Sequence, residues 1–425
     1  MAVLRPSTWF RRSPVPRERP VVTLLPSLQP PARPIAPSAE RHNDCALALY
    51  ERLRHEPGNV FFSPFSIRAA LMMALAGAVG ETEAELRRVL RVPSSDESAH
   101  EAVAALISRL RAAAGGAYSL AVANGLWSQE GAPLQVPFLD LVDRHYGAAL
   151  HTADFRGDAA GARVRINDWV EDATNQNIRD LIPPGGLSAD TRLVLANAAW
   201  FTGKWTLPFP NDETHHDRFY LDGGGTVMAP LMRVRAVMPY WQGDGIQAVD
   251  LGYRGDDLSM LALVPDRKDG AKDLERKLSP QVLTGCTAGL IRREVRLFLP
   301  RFTVTWGSVG LRDHLTAMGM PRAFVRGEAD FSGINGLEPP HDESLFISDV
   351  YHKAFVDVNE DGAEAAAATA LITDAVRAPL KRATPPPIPI VRADRPFLFA
   401  IRDVKSGALL FLGRMSDPTR GSSAL

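Results

Sequence analysis

Two cysteines in 425 residues, Cys45 and Cys286, are too few for a disulfide framework or a four-cysteine zinc site. Net charge is nearly absent as well. Lysine and arginine total 48 against 49 acidic residues, and a balance of −1 gives no global field that would draw the chain to nucleic acid. Long apolar runs are missing: the stretch from Ala69 to Gly80 is far short of the roughly 20 residues of a membrane span and reads as a buried helix. No Asn-x-Ser/Thr acceptor occurs, which disfavours a eukaryotic secretory route. Phosphate-cradling glycine loops, a His-Glu-x-x-His pair and a Gly-x-Ser-x-Gly elbow are lacking, so the common nucleotide, zinc-protease and hydrolase signatures do not apply. Gly243-Asp244-Gly245 has no third glycine and reads as a hairpin turn. The metal-like cluster Asp212-Glu213-Thr214-His215-His216-Asp217 reads as a solvated loop, because adjacent histidines on a strand point to opposite faces. No cofactor and no metal are expected.

What is present fits a soluble globular chain. Hydrophobic residues make up 45% and charged residues 23%, and the length suffices to bury a sizeable core. Residues 1–40 differ from the rest, with nine prolines and six arginines, and read as a disordered leader. A transit peptide or a start assigned too early would look similar, and the apolar run Val21–Leu25 is shorter than a secretory core. Residues 41–418 read as one domain without internal linkers, and 419–425 as a flexible tail. Apolar periodicity predicts helices over Asp44–Leu53, Ser66–Gly80, Glu81–Leu90 and Ala162–Asp180, with Ser66 as a possible cap behind a Phe61–Phe62 strand. Short β-rich runs at Leu193–Phe201, Gln247–Leu251, Ser259–Val264 and Glu294–Leu299 dominate the middle. Phe397–Ile401 and Ala408–Gly413 predict a buried hairpin across Lys405-Ser406-Gly407. Helices come early and strands late, which is α+β.

Three segments, taken in order, resemble the serpin family. The first is Asn59-Val60-Phe61-Phe62-Ser63-Pro64-Phe65-Ser66-Ile67 with Gly80-Glu81-Thr82. The second runs from Ile166-Asn167-Asp168-Trp169-Val170 through Leu195-Ala196-Asn197 to Phe201-Thr202-Gly203-Lys204-Trp205 and Pro208-Phe209. The third runs from Ala329-Asp330-Phe331-Ser332-Gly333 through His352-Lys353-Ala354 and the alanine-rich stretch after Glu360, closing on Arg395-Pro396-Phe397 and Phe411-Leu412-Gly413-Arg414. The resemblance implies three β-sheets, eight or nine helices and an exposed reactive loop. It further implies an inhibitor with no catalytic residue of its own. A target serine protease attacks the loop, and the cut loop enters the central sheet as a new strand before the acyl-enzyme can be released. An extracellular setting and a monomer would follow from the same likeness, with no nucleic-acid or membrane partner.

On that likeness the hinge is Glu360, Gly362, Ala363, Ala365, Ala366, Ala367 and Ala368. Small side chains suit a strand that must slide into a packed sheet. By propensity alone Glu364–Leu371 would be a helix. Ala363 departs from the usual Thr or Ser, yet stays small and uncharged. The family count puts the reactive bond between Val376 and Arg377, which favours elastase- or subtilisin-like proteases. A cut between Arg377 and Ala378 would suit a trypsin-like enzyme, and Lys381 and Arg382 are further basic options. The prolyl stretch that follows is longer than the family norm. Ser63, Ser66, Asn197 and His352 match the polar "shutter" under the central sheet, although Ser66 also reads as a cap and His352 as a core histidine. Trp205 and Arg301 match the "breach" where the loop first enters, Arg301 as partner of Glu360. Arg87, Arg88, Arg91, Arg109 and Arg111, interspersed with Glu85 and Glu101, read as an ordinary solvated face rather than a glycosaminoglycan site. The competing reading is a serpin-fold binding or chaperone-like protein whose loop is cut without trapping; a true hydrolase ranks third.

Overall fold

The computed structural model describes residues 37–93, 98–113, 118–147, 150–361 and 387–421. The chain opens on α1 (Pro37–Leu53), β1 (Val60–Phe62), α2 (Pro64–Leu75), α3 (Gly80–Leu90) and α4 (Ala99–Ala113). Every residue of α2 except Arg68 is buried, as its nearly unbroken apolar sequence requires. Ser63 caps this helix, its hydroxyl accepting the Ser66 amide at 3.1 Å. Ser66 is therefore not the cap. Pro64, whose fixed φ suits the first helical position, starts the helix two residues before the expected boundary. The helix also ends well before Gly80, because the chain turns at Ala76 and brings Gly77 against Ile334, where a β-carbon would lie 2.2 Å from that side chain.

Next come β2 (Tyr118–Gln129), α5 (Val136–Tyr146), β3 (Leu150–Ala153) and α6 (Phe155–Ala173). α6 begins earlier than its apolar pattern suggests, capped by Asp154 on the Gly157 amide at 2.8 Å and kinked at Asp158. It ends at Ala173 instead of Asp180. The Thr174 hydroxyl folds back onto the Val170 carbonyl at 2.8 Å, and Asn175 and Gln176 turn left-handed.

The strands follow as β4 (Leu193–Gly203), β5 (His215–Tyr220), β6 (Thr226–Gly243), β7 (Ile246–Gly252) and β8 (Leu258–Pro265). After α7 (Ala271–Lys277) and α8 (Pro280–Ala288) come β9 (Ile291–Pro300), β10 (Phe302–Gly310), α9 (Arg312–Met318), α10 (Ser332–Asn335) and β11 (Ile347–Val358). β12 (Ile390–Arg392), β13 (Phe397–Asp403) and β14 (Leu409–Met415) complete the chain, the last two forming the expected antiparallel pair.

Among the described residues these strands form two sheets, not the three expected. One has five strands in the order β10-β11-β4-β2-β3. The other has nine, along β1-β14-β13-β8-β7-β6-β9-β12, with β5 on β6. The reason is the 18-residue β6: it pairs with β9 over Leu231–Tyr240 and with β7 over Tyr240–Gly243, joining what would be separate sheets into one ladder. The described residues hold ten α-helices, one or two more than expected; α10 is a single four-residue turn. The main core lies between the two sheets and the early helices and includes Cys45 and Cys286, both buried thiols. A second apolar cluster holds α6 against the outer face of the five-stranded sheet through Ile166, Val170, Ala196 and Ala198. No described helix is long and apolar enough to cross a membrane.

Candidate functional site

In the five-stranded sheet, β4 lies beside β11 in parallel, with Leu193 opposite Ile347 and Phe201 opposite Val356. The other neighbour of β4 is the antiparallel β2. A polar row crosses these three strands at one level: Asn124 on β2 is opposite Asn197 on β4, which is opposite His352 on β11. The row meets the start of α2, where Ser63 and Ser66 wait. All four sequence-derived residues, Ser63, Ser66, Asn197 and His352, are thus brought together and buried.

Their hydrogen bonds have one consistent direction. The Ser63 amide donates to His352 Nε2 at 3.0 Å, so that nitrogen is an acceptor and the ring proton sits on Nδ1. Nδ1 then donates to the Asn197 amide oxygen, which turns Asn197 Nδ2 toward Ser66 Oγ at 2.5 Å and toward Asn124 Oδ1. Ser66 Oγ passes its own hydrogen to Asn124 Oδ1 at 2.9 Å, and Ser63 Oγ donates to the Leu410 carbonyl at 2.8 Å. Burial holds His352 neutral, its pKa lowered to about 3. A proton on Nε2 would face the Ser63 N–H donor with no acceptor between them.

A pH dependence follows. Burial also lowers His42 and His100 to about 4, with Arg68 adding to the first and His145 to the second. In the unfolded chain all three would bind a proton near pH 6.5, whereas the folded state refuses it until about pH 3–4. Stability is therefore complete above pH 6.5 and falls as pH falls toward 4, by up to about 1.4 kcal/mol per pH unit for each histidine. Thermal unfolding at pH 7.5, 5.5 and 4.5 should show this decline. A His352→Gln variant should have a shallower slope, and an equal slope would contradict the neutral assignment.

At the end of the sheet where β4 and β11 both terminate, Trp205 is buried and stacked on Tyr253, ring centroids 4.5 Å apart. Its indole N–H donates to the Asn359 carbonyl at 2.9 Å and its backbone N–H to the Asp361 carbonyl at 3.0 Å. The Phe209 amide donates to the Glu360 carbonyl at 2.9 Å. The Glu360 side chain is nearly buried and faces Arg301 Nη1 at 3.5 Å, with Arg301 half exposed. A pair this exposed on one side is worth about 0–1 kcal/mol. The structure thus brings Trp205, Arg301 and Glu360 to one place.

Gly362, Ala363, Ala365–Ala368 and the bonds at Val376–Arg377 and Arg377–Ala378, together with Lys381 and Arg382, lie outside the described residues. Asn124 was not foreseen; its signal is a lone amide in the apolar strand Leu120–Leu126, where a polar group needs a partner. Asp357 and Asn359 were also missed: Asp357 takes the Thr303 hydroxyl and the Asn359 amide, each at 2.7 Å, and so fixes the turn that leaves β11. The arginine face of α3 and α4 differs from an ordinary solvated one. Glu85 is buried and accepts the Arg322 amide at 2.9 Å, and Arg109 is drawn to the buried carboxylate of Asp403. His215 and His216 open β5, and among the described residues no three metal-ligating side chains come together.

The same architecture recurs in known proteins. The family model described as Serpin (serine protease inhibitor) matches residues 40–418. An uncharacterized serpin-like protein from Thermococcus kodakarensis is 39% identical over 380 residues, covering 89% of this chain and 85% of that protein. Human Serpin B3 is 34% identical over 390 residues, covering 87% and 96% respectively. The crystal structure of uncleaved ovalbumin is similar with a TM-score of 0.78 and 26% identity, over 90% of this chain and all of that one. By fold, by sequence and by the extent of the match, this chain belongs to the serpin family.

Proposed function

We propose that the protein is a suicide-substrate inhibitor of serine endopeptidases, built as one inhibitory domain over residues 41–418. Serpins as a family are protease inhibitors rather than enzymes, and a target protease is the partner that membership implies. The observation that carries the finer reading is the parallel β4–β11 pair. The chain leaves β11 at Glu360-Asp361, where β4 also ends. A segment turning back from there between the two strands would run antiparallel to both. One slanted parallel ladder would become two antiparallel ones, which hold slightly better per residue. Asn197 and His352 would have to part for the new strand to pass. Their mutual hydrogen bond is then a closed contact of the uncut molecule, and Trp205 and the Arg301–Glu360 pair mark the entrance. Val376 before the cut favours elastase- or subtilisin-like targets, and a cut after Arg377 a trypsin-like one.

The test is denaturing gel electrophoresis after incubation with an elastase, a subtilisin and a trypsin, with mass spectrometry of the carboxy-terminal fragment. A complex that survives SDS is expected, and the fragment's first residue fixes the bond. Clean cleavage without a complex would instead assign the binding or chaperone-like role.

A further inference from the structure

We propose that the outer face of β6, β9 and β12 is an accessory docking surface for a target protease whose own surface is acidic. The proposal rests on the inhibitory reading and adds a partner preference to it. The whole chain carries a net charge of only −1, yet this face concentrates arginines. Arg233 and Arg235 project from β6, Arg292 and Arg296 from β9, Arg392 from β12, and Arg301 follows β9. Arg235 and Arg296 are directly opposite one another in the ladder, a like-charge pairing that destabilises a sheet. Glu294 takes Arg235 at 2.8 Å, Asp217 and Asp394 each take Arg392 at 2.9 Å, and Asp217 lies 3.7 Å from Arg233. Arg292 and Arg296 are exposed and make no ion pair or side-chain hydrogen bond among the described residues. Arg233 and Arg392 flank the Phe298 ring, at 5.4 and 4.4 Å, so the face offers its unpaired charge chiefly through Arg292 and Arg296.

The position of the face makes a protease the occupant. Before residue 362 the chain is held by Arg301 against Glu360, at the end of β9. After residue 386 it resumes with the Pro387 carbonyl on Arg293 and the Pro389 carbonyl on the Arg296 amide, along β9 before its last four residues. The two anchors bracket about 25 Å of one strand. Both ends of the segment such an enzyme cuts are tied along that strand, so cationic side chains there act on its approach. A focused field of this kind raises association rates by about 10- to 1,000-fold and falls steeply with salt.

The experiment measures the rate of SDS-stable complex formation with a subtilisin-type protease of net negative surface and with a strongly basic elastase, at low and physiological salt. R292E/R296E is expected to slow the acidic protease about tenfold or more at low salt, with less effect on the basic one and no change in stoichiometry. Arg165→Glu, an exposed site on α6, makes the same type of charge change and should have little effect. Equal rates for R292E/R296E and wild type would overturn the proposal. So would an effect seen only when a sulfated polysaccharide is added, which would reassign the face to a polyanion. If wild type traps neither protease, the inhibitory reading fails separately. Docking is then read by biosensor with the acidic protease carrying alanine in place of its nucleophilic serine: tenfold weaker binding of R292E/R296E keeps the face, and equal binding removes it.

Discussion

Ala367→Arg should turn the inhibitor into a plain substrate: the target protease cuts the loop at an undiminished rate, and the SDS-stable complex disappears. The strands that would receive the loop leave no room for a long side chain. On β4, Ala196, Ala198 and Ala199 are wholly buried, as is Ala354 on β11. α6 covers one face of this sheet and the main core the other. An arginine on an inserted strand would have to bury its charge without a partner or displace packed neighbours, at a cost of at least about 3 kcal/mol. If that cost appears in the barrier to insertion, the step slows roughly a hundredfold, and hydrolysis of the acyl-enzyme wins the race. Ala367→Ser, small and uncharged, should trap nearly as well as the parent. The readout is moles of inhibitor consumed per mole of protease silenced. Wild-type stoichiometry for the arginine variant would mean that insertion does not pass through residue 367.

Asn197→Ala is expected to destabilise the uncut protein by roughly 3–5 kcal/mol, the sum of two orphaned buried groups at about 1–3 kcal/mol each. Removing this one amide leaves His352 Nδ1–H without an acceptor and takes the Asn197 donor from Ser66, while Asn124 keeps the Ser66 hydroxyl as its donor. Asn124→Ala should cost much less, about 1 kcal/mol, for a reason visible in the packing. Asn124 is only half buried and borders a cavity of about 350 Å³, roomy enough for water to take over its partners. Denaturant unfolding of both variants gives the comparison. An Asn197→Ala variant within 1 kcal/mol of the parent would show that the polar row adds nothing to stability.

The residues of this row illustrate how far the sequence could be read. Ser63, Ser66, Asn197 and His352 came from a family resemblance, and no spacing rule would have united positions that are hundreds of residues apart. Asn124 carried no family label and was passed over, although an amide among alanines and valines is a physical signal in its own right. The helix boundaries failed for local reasons that periodicity does not encode. Pro64 advanced the start of α2, Gly77 ended it against Ile334, and Thr174 closed α6 by bonding to its own backbone. Gln247–Leu251 and Ser259–Val264 were legible within a few residues because each is a short, almost wholly buried apolar run. What could not be read was that β6 would continue across two ladders, since 18 residues of mixed burial give no clean alternation. The arginines of β9 were equally silent, because a sequence does not say that both ends of a distant loop are tied beside them.

One feature of the nine-stranded sheet governs how the molecule must be made. β1 pairs with β14, and β8 pairs with β13, so strands more than 130 residues downstream of β8 take places in the interior of the sheet. Until they arrive, β1 has no partner in that sheet and β8 presents a bare edge of unpaired N–H and C=O groups. The register Val60↔Arg414 ties one end of the domain to the other, a closure that can only come late. A nascent chain interrupted before Phe397 would therefore carry an open apolar edge rather than a smaller finished fold. For this protein, the nine-stranded sheet closes only after β13 and β14 have been translated.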